Sequence, residues 1–427
     1  MSDDSSLEAP SGAPKRKGTV ARKHTVGRVI LISALVLALV TGLGMVYLVR
    51  HLNGNIETGD LGALGSDRPE KVYKGNGEPL NILVMGDDTR SGAGNDIDQE
   101  TGGGSDTTIL VHLSADRSRA YAVSIPRDSV VDRPACGDSP AATDVLWNAA
   151  FSVGKELCTA EQFEQTTGIL LQHYVVIDFN GFGDMVDAVD GVPVCIPEDI
   201  VDKKHAIFVP KGDPSRLSGD QALDYVRARY VGEKIQQNDI SRIRRQQEFI
   251  GALVREVQSA GTLTRFDRVV SFLDAATKSL RTDEELGSVT RIGKLAMQLR
   301  SVGLDKIKFV TLPTEYYPVD DPEFSGKLFW KPEAQKIWDL INADKELPPS
   351  LIKGTSTDAE PPATSSETTS PASPTGTPSS SDSESPSTPE SETPSQTPSE
   401  TASETPSSTP STPATTDDED RIFGVCA

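Results

Sequence analysis

Arg227 and Arg229 stand one residue apart in the stretch SGDQALDYVRARYVGEKIQQNDISRIRRQQEFIGALVREV (218–257), and Arg242, Arg244 and Arg245 follow within it. In an extended segment Arg227 and Arg229 point to one side, because side chains alternate with period two. A guanidinium grips a phosphate as a planar fork, each hydrogen bond to the charged group contributing about 1.5–3 kcal/mol. Upstream, Asp88 and Arg90 follow the run NILVMG, Asp106 sits in SDTTIL, and Arg127 and Asp128 follow SIP. Carboxylates hold Mg²⁺ through one or two oxygens while substrate phosphates complete its octahedron. Arg90, Arg127, Arg227 and Arg229, with Asp88, Asp106 and Asp239, therefore fit a pyrophosphate bound with Mg²⁺ or Mn²⁺. A lone arginine is more often a surface ion pair. The joint pattern, set in a chain of net charge −21, argues for a site.

The elements that must position these residues can be read from periodicity. Short apolar runs predict strands at 81–86, 105–113, 120–129 (broken by Pro126), 173–179, 192–197 and 306–313. Helices are predicted at 158–167, 181–189, 239–257, 263–280, 283–300 and 331–341. Ser218 with Gln221 forms a capping box that opens a further helix through Tyr225. Asp88, Arg90, Asp106, Arg127 and Asp128 then cluster at strand ends, where a sheet holds side chains rigidly around one crevice. The helix from Asp239 carries an apolar stripe at Ile243, Ile250, Leu253, Val254 and Val257. Asp239 and Gln246 fall inside that stripe and Arg242 at its edge, whereas Arg245 projects nearly opposite. A carboxylate and an amide facing the core require a polar partner. Strands and helices mix without strict βαβ repetition, which favours a layered α/β domain with a mixed sheet.

The foldable part is bounded by segments of different composition. Residues 1–28 are polar and basic, and residues 29–49 are 21 residues without a charge, enough to cross roughly 30 Å of hydrocarbon. Lys15, Arg16, Lys17, Arg22, Lys23 and Arg28 precede that run and only Arg50 follows closely. The positive-inside rule then places the N-terminus in the cytoplasm and the rest outside, as a single-pass protein of the cell membrane. A cleaved signal peptide is the alternative, but no Ala-x-Ala site follows the run. Residues 50–78 read as a Gly-rich linker, 79–345 as the folded domain and 346–420 as a Ser/Thr/Pro-rich tail. Stretch 355–420 has 13 acidic and no basic side chains, too little apolar surface to offset the entropy of ordering, and is expected to be disordered. It is either a bare spacer or an O-glycosylated stalk. The last residues, 421–427, regain apolar character.

Other chemistries find little support. Ser152 and Lys155 match S-x-x-K, and SDT stands at 105–107, but the order is reversed from penicillin-binding proteins and no K-T-G follows. The chain has neither a G-x-S-x-G elbow nor a phosphate-binding Walker loop, and its five histidines are scattered. Residues 1–28 are too short to read DNA, so no nucleic-acid partner is expected.

Several blocks, in order, resemble the LytR-CpsA-Psr proteins: NILVMGDDTR (81–90), SDTTIL (105–110), SIPRDS (124–129), NAAF (148–151), HYVVIDFNGF (173–182), VDAVDGVPV (187–194), LSGDQALDYVRAR (217–229) and DISRIRRQQEFI (239–250). The resemblance implies a membrane-anchored α/β/α domain with an apolar groove for a polyprenyl chain. It implies transfer of a glycopolymer from a polyprenyl pyrophosphate carrier to peptidoglycan, with formation of a phosphodiester and with Mg²⁺. By motif position, Asp88 and Asp106 hold the metal, and Arg127, Arg227 and Arg229 grip the pyrophosphate. Arg90, Asp239, Arg242 and Gln246 support them, and Asp106 or Asp239 is the candidate proton acceptor. Two departures remove cations common in the family: Gly104 precedes the SDT serine, and Leu146 stands two before Asn148. A non-catalytic binder of lipid-linked polymer or wall glycan and a polyprenyl pyrophosphate hydrolase are the alternatives.

Four cysteines form no CxxC pair. Cys136 and Cys158 bracket a Pro/Gly-rich excursion and are expected to pair, which leaves Cys195 for Cys426. Non-reducing peptide mass spectrometry is expected to find Cys195 linked to Cys426; free thiols at both positions would refute that pairing.

Overall fold

The computed structural model describes residues 25–65, 68–88, 104–203, 206–228, 239–303, 307–352 and 356–358. Arg90, Arg229, Cys426 and nearly all of the Ser/Thr/Pro-rich tail lie outside these. Helix α1 (Thr25–Asn55) is long and apolar enough by length and composition to cross a membrane.

Among the described residues the sheet is mixed and has eight strands: β1 (Glu57–Gly59), β2 (Leu80–Asp87), β3 (Ser105–Leu113), β4 (Ala120–Ile125), β5 (His173–Asp178), β6 (Leu280–Asp283), β7 (Ile307–Thr311) and β8 (Ser356–Asp358). Their order is β1-β6-β5-β2-β3-β4-β7-β8. The pairs β1–β6, β5–β2 and β4–β7 are parallel and the others antiparallel.

Alternation along the strands builds two faces. Leu83 and Met85, Leu110, Val123 and Ile125, Tyr174 and Val176, and Val310 meet the helices α2 (Ala149–Thr167) and, after it in the chain, Pro332–Asn342 through Phe163 and Trp338. Val84, Ile109, Val111, Ala122 and Phe309 form the other face, against Ile250. Covering both faces makes the strands near-continuous apolar runs, which is why they were legible as such. Each fully buried Leu or Phe contributes about 1.5–3 kcal/mol.

The second helical layer is α3 (Phe179–Ala188), α4 (Gly219–Arg227), α5 (Asp239–Gln258), α6 (Phe266–Ser279) and α7 (Val289–Val302); the helix Pro332–Asn342 is α8. The expected capping box of Ser218 and Gln221 opens α4. Val186, Val189, Tyr225, Phe249 and Ala252 form a second core with the hairpin Val192–Ile196 and Gly212–Leu217. Helix α5 is thus enclosed between the sheet and this second core. Gln247 Nε2 donates to Ser124 Oγ at 2.9 Å and Thr311 Oγ1 at 3.3 Å on the sheet side, while Phe249 packs on Tyr225 on the other.

The structure corrects several expectations. Residues 241–247 of α5 are buried on every side, so the one-sided stripe does not describe them; a helix between two cores has no solvent face there. The segment 50–78 is not merely a linker: α1 continues to Asn55, β1 joins the sheet, and Leu52, Ile56 and Leu61 are buried. Helix α2 begins at Ala149, earlier than predicted, and kinks at Gly154 and Lys155. Cys136 and Cys158 are disulfide-bonded, as expected. Cys195 is also in a disulfide; its expected partner, Cys426, lies outside the described residues.

Candidate active site

One end of the sheet gathers the C-termini of β2, β4 and β5 and the N-terminus of β3. The amide of Asp88 donates to Gly104 O at 3.2 Å, so the strand ends carrying Asp88 and Asp106 are held side by side. Beside them Pro126 ends β4 by lacking an N–H, and the chain turns through a bond from Ser129 N to Pro126 O at 3.2 Å. The turn is fixed from outside by Asn148 N on Arg127 O (3.3 Å), Trp147 N on Ser129 O (2.8 Å) and Leu328 N on Asp128 O (3.1 Å). Arg127 is therefore presented from rigid backbone, and its Nη1 donates to Asp106 Oδ1 at 2.5 Å.

Arg227, the last residue of α4, reaches the same place from the helical layer. Its Nη2 donates to Asp88 Oδ1 at 2.8 Å, and its guanidinium lies 4.8 Å from the centre of the Phe179 ring, a cation–π distance. Gly86 makes room for that ring: a Cβ there would lie 3.0 Å from it. Arg242, from the first turns of α5, approaches the second oxygen of Asp106 at 3.8 Å.

Helix α5 also closes α4. The last carbonyls of a helix have no intrahelical donor, and here the neighbouring helix supplies them. Arg245 Nε donates to Tyr225 O at 3.3 Å, Arg245 Nη2 to Ala228 O, and Gln246 Nε2 to Val226 O at 3.3 Å. A cation at a helix C-terminus also complements its dipole. Burial pulls the Arg245 guanidinium down to about 10, Tyr225 raises it and Arg242 lowers it further; it stays charged at neutral pH. Burial raises Asp224, one turn before Arg227, to about 6, against lowering by Arg227 and raising by Asp220. A raised carboxylate favours the fold less as pH climbs from 3.8 through about 6.

Three arginines, Arg127, Arg227 and Arg242, thus meet three carboxylates, Asp88, Asp106 and Asp128, with Arg244 and Arg245 buried behind them. Arg227 Nε and Arg245 Nη1 are buried without a hydrogen-bond partner among the described residues. Spare donors of this kind are what an anion satisfies. Among the described residues no group of three or more His, Cys, Asp or Glu gathers. Asp88 and Asp106, one carboxylate each from adjacent strand ends, match the donor set of a Mg²⁺ that is completed by phosphate oxygens rather than by a protein cage.

Of the residues singled out in the sequence, Asp88, Asp106, Arg127, Arg227, Arg242 and Gln246 come together. Asp239 opens α5, while Arg90 and Arg229 lie outside the described residues. Arg245, set aside because it projected away from the apolar stripe, is fully buried and caps α4. A second ion-pair group, marked by no sequence motif, lies beside the first: Arg281 at the start of β6 meets Asp87 Oδ2 at 3.1 Å and Glu156 Oε2 at 3.3 Å. Neighbouring Asp87 and Asp88 therefore serve different arginines. The signal available for Arg245 was the unbroken polar run Arg244–Glu248, set between Ile243 and Phe249 inside a helix.

The LytR_cpsA_psr family model matches residues 53–346. The chain belongs to that family. It is 30% identical over 329 residues to the cell wall biosynthesis protein LcpA of Corynebacterium glutamicum, covering 68% of this chain and 60% of that protein. It is 30% identical over 263 residues to TagV of Bacillus subtilis, named a polyisoprenyl-teichoic acid–peptidoglycan teichoic acid transferase, covering 60% and 63%. The chain thus spans less than two thirds of the length of these LytR_cpsA_psr relatives. The solved structure of gbs0355 from Streptococcus agalactiae shares the fold at 22% identity, with a TM-score of 0.51 over 63% of this chain and 89% of that one.

Replacing Arg245 by Met keeps much of the volume but leaves two buried carbonyls without their donor. Denaturant unfolding is expected to show a loss of at least about 2 kcal/mol, with Arg245→Lys in between. An unfolding free energy equal to wild type in Arg245→Met would remove the capping role.

Proposed function

We propose that this protein is a membrane-anchored phosphotransferase that moves a glycopolymer from a polyprenyl pyrophosphate carrier to peptidoglycan, forming a phosphodiester. The observation that carries this reading is the convergence of Arg127, Arg227 and Arg242 on Asp88 and Asp106 at one end of the sheet. Family membership and the transferase name of the TagV relative support the same chemistry. Helix α1 supports attachment to the bilayer, and the basic residues before it support a cytoplasmic N-terminus and an extracytoplasmic domain.

Arg127 and Arg227 exchange their carboxylate partners for the pyrophosphate oxygens, Arg229 is assigned to the same grip by its motif position, and Arg242 adds charge beside them. A sugar hydroxyl of peptidoglycan attacks the phosphorus that bears the polymer. The bond from that phosphorus to the bridging oxygen breaks, polyprenyl monophosphate leaves, and the hydroxyl proton passes to Asp106 or Asp239. Charge growing on the bridging oxygen meets preorganised guanidinium groups, which costs no reorganisation during reaction. Asp88 and Asp106 would hold Mg²⁺ or Mn²⁺, which supplies Lewis-acid neutralisation of the phosphate oxygens. Arg245 and Gln246 act by fixing the end of α4 that carries Arg227.

Arg127→Ala and Arg227→Ala are expected to lower the transfer rate by about 10²- to 10³-fold while circular dichroism and thermal unfolding remain near wild type. Undiminished transfer by the well-folded double variant would sink the assignment.

A further inference from the structure

Phe266 and Leu263 are large apolar side chains left in the open at the start of α6, 74% and 50% exposed. Isolated exposed apolar residues are ordinary; the position of these two relative to α1 is not. Near its other end α6 is bound to α1. His51 Nε2 lies 2.9 Å from Asp274 Oδ1, and Asn55 Nδ2 donates to Asp274 Oδ1 and to Thr277 Oγ1, both at 3.1 Å. One turn forward on α1, from His51 to Asn55, corresponds to nearly one turn forward on α6, from Asp274 to Thr277. The two helices therefore run in the same sense where they meet, and backward along both leads toward the apolar run of α1.

The distances decide how far. Phe266 precedes Asp274 by eight residues, about 12 Å of helix at 1.5 Å per residue. Even at the crossing angle of ~50° common between packed helices, the descent is about 8 Å. The same descent from His51 along α1 reaches Val46 and Tyr47. Tyr47 is 73% exposed and its ring stacks on His51 with centroids 6.2 Å apart, the place of a tyrosine at a membrane–water boundary. Between Leu263 and Phe266 stands Arg265, whose Nη2 meets Asp267 Oδ2 at 2.7 Å with both side chains more than half exposed. Its stem is long enough to leave the guanidinium among head groups while its neighbours go deeper.

We propose that the Leu263–Phe266 corner is a second membrane contact, seated at the boundary of phospholipid head groups and acyl chains beside α1. The inference rests on the membrane-anchored reading above. Its consequence is orientation. One helix leaves the domain free to turn about the membrane normal and to tilt; two points of contact hold its tilt. Helix α6 runs straight into β6, whose Arg281 binds Asp87 next to the metal candidate Asp88, so the orientation is transmitted to the edge of the site.

The test uses the full chain in vesicles of phosphatidylethanolamine and phosphatidylglycerol doped with a phospholipid carrying a diazirine in its acyl chain. After photolysis, peptide mass spectrometry is expected to find lipid adducts on α1 and on residues 263–266. The Leu263→Ser, Phe266→Ser double variant is expected to lose the second set and keep the first. Adducts on α1 alone in the wild-type protein would overturn the second contact and leave the anchor standing. Adducts on neither would overturn the anchor as well.

Discussion

A buried guanidinium on the closing carbonyls of a helix underlies the site. Arg245 is enclosed between the sheet-facing helix α5 and α4, and it spends two of its donors on Tyr225 O and Ala228 O. Without those donors the C-terminal carbonyls of α4 would be buried acceptors with nothing to accept, each unfavourable by about 1–3 kcal/mol. With them, α4 ends at a fixed point, and that point is Arg227. The salt bridge to Asp88 and the stacking on Phe179 follow from where the helix stops. Gln247 completes the arrangement by tying the same turn of α5 to β4 and β7, so the helical arginines and the strand-end aspartates share one frame.

That frame gathers arginines from two layers at the strand ends. Charged groups out of water are unfavourable unless paired, and here the arginines share carboxylates: Arg127 and Arg242 both approach Asp106, Arg127 also lies 3.8 Å from Asp128, and Arg227 binds Asp88. A surface cluster of this kind would be screened within about 10 Å at ordinary ionic strength. This one is partly buried, with the Arg127 and Arg227 side chains 16% exposed, and is screened less.

The strand ends were legible because two signals coincide there. Near-continuous apolar runs end just before charged residues, β2 at Asp87 ahead of Asp88 and β4 at Ile125 ahead of Pro126 and Arg127, so those residues had to lie at one edge of a sheet. The capping box of Ser218 and Gln221 marked the start of α4 in the same local way. Arg245 was not legible because reading one apolar stripe presumes one core, and α5 lies between two. The segment 50–78 and β6 escaped for a different reason. Glu57–Gly59 and LRTD are short, and LRTD carries two charges, so nothing local announces a strand; their pairing comes from partners more than 100 residues away in sequence. Non-local pairing is invisible to any window.

The central claim is that the arginine cluster directs transfer of a phosphate-linked polymer to a sugar. It is tested most directly by incubating the full chain with a defined lipid-linked glycopolymer and peptidoglycan fragments, with and without Mg²⁺, and identifying the products by mass spectrometry. The expected product is a peptidoglycan fragment heavier by the polymer and one phosphate, with polyprenyl monophosphate released alongside. Free polymer phosphate with unmodified peptidoglycan, or bound polymer with no product at all, would contradict it.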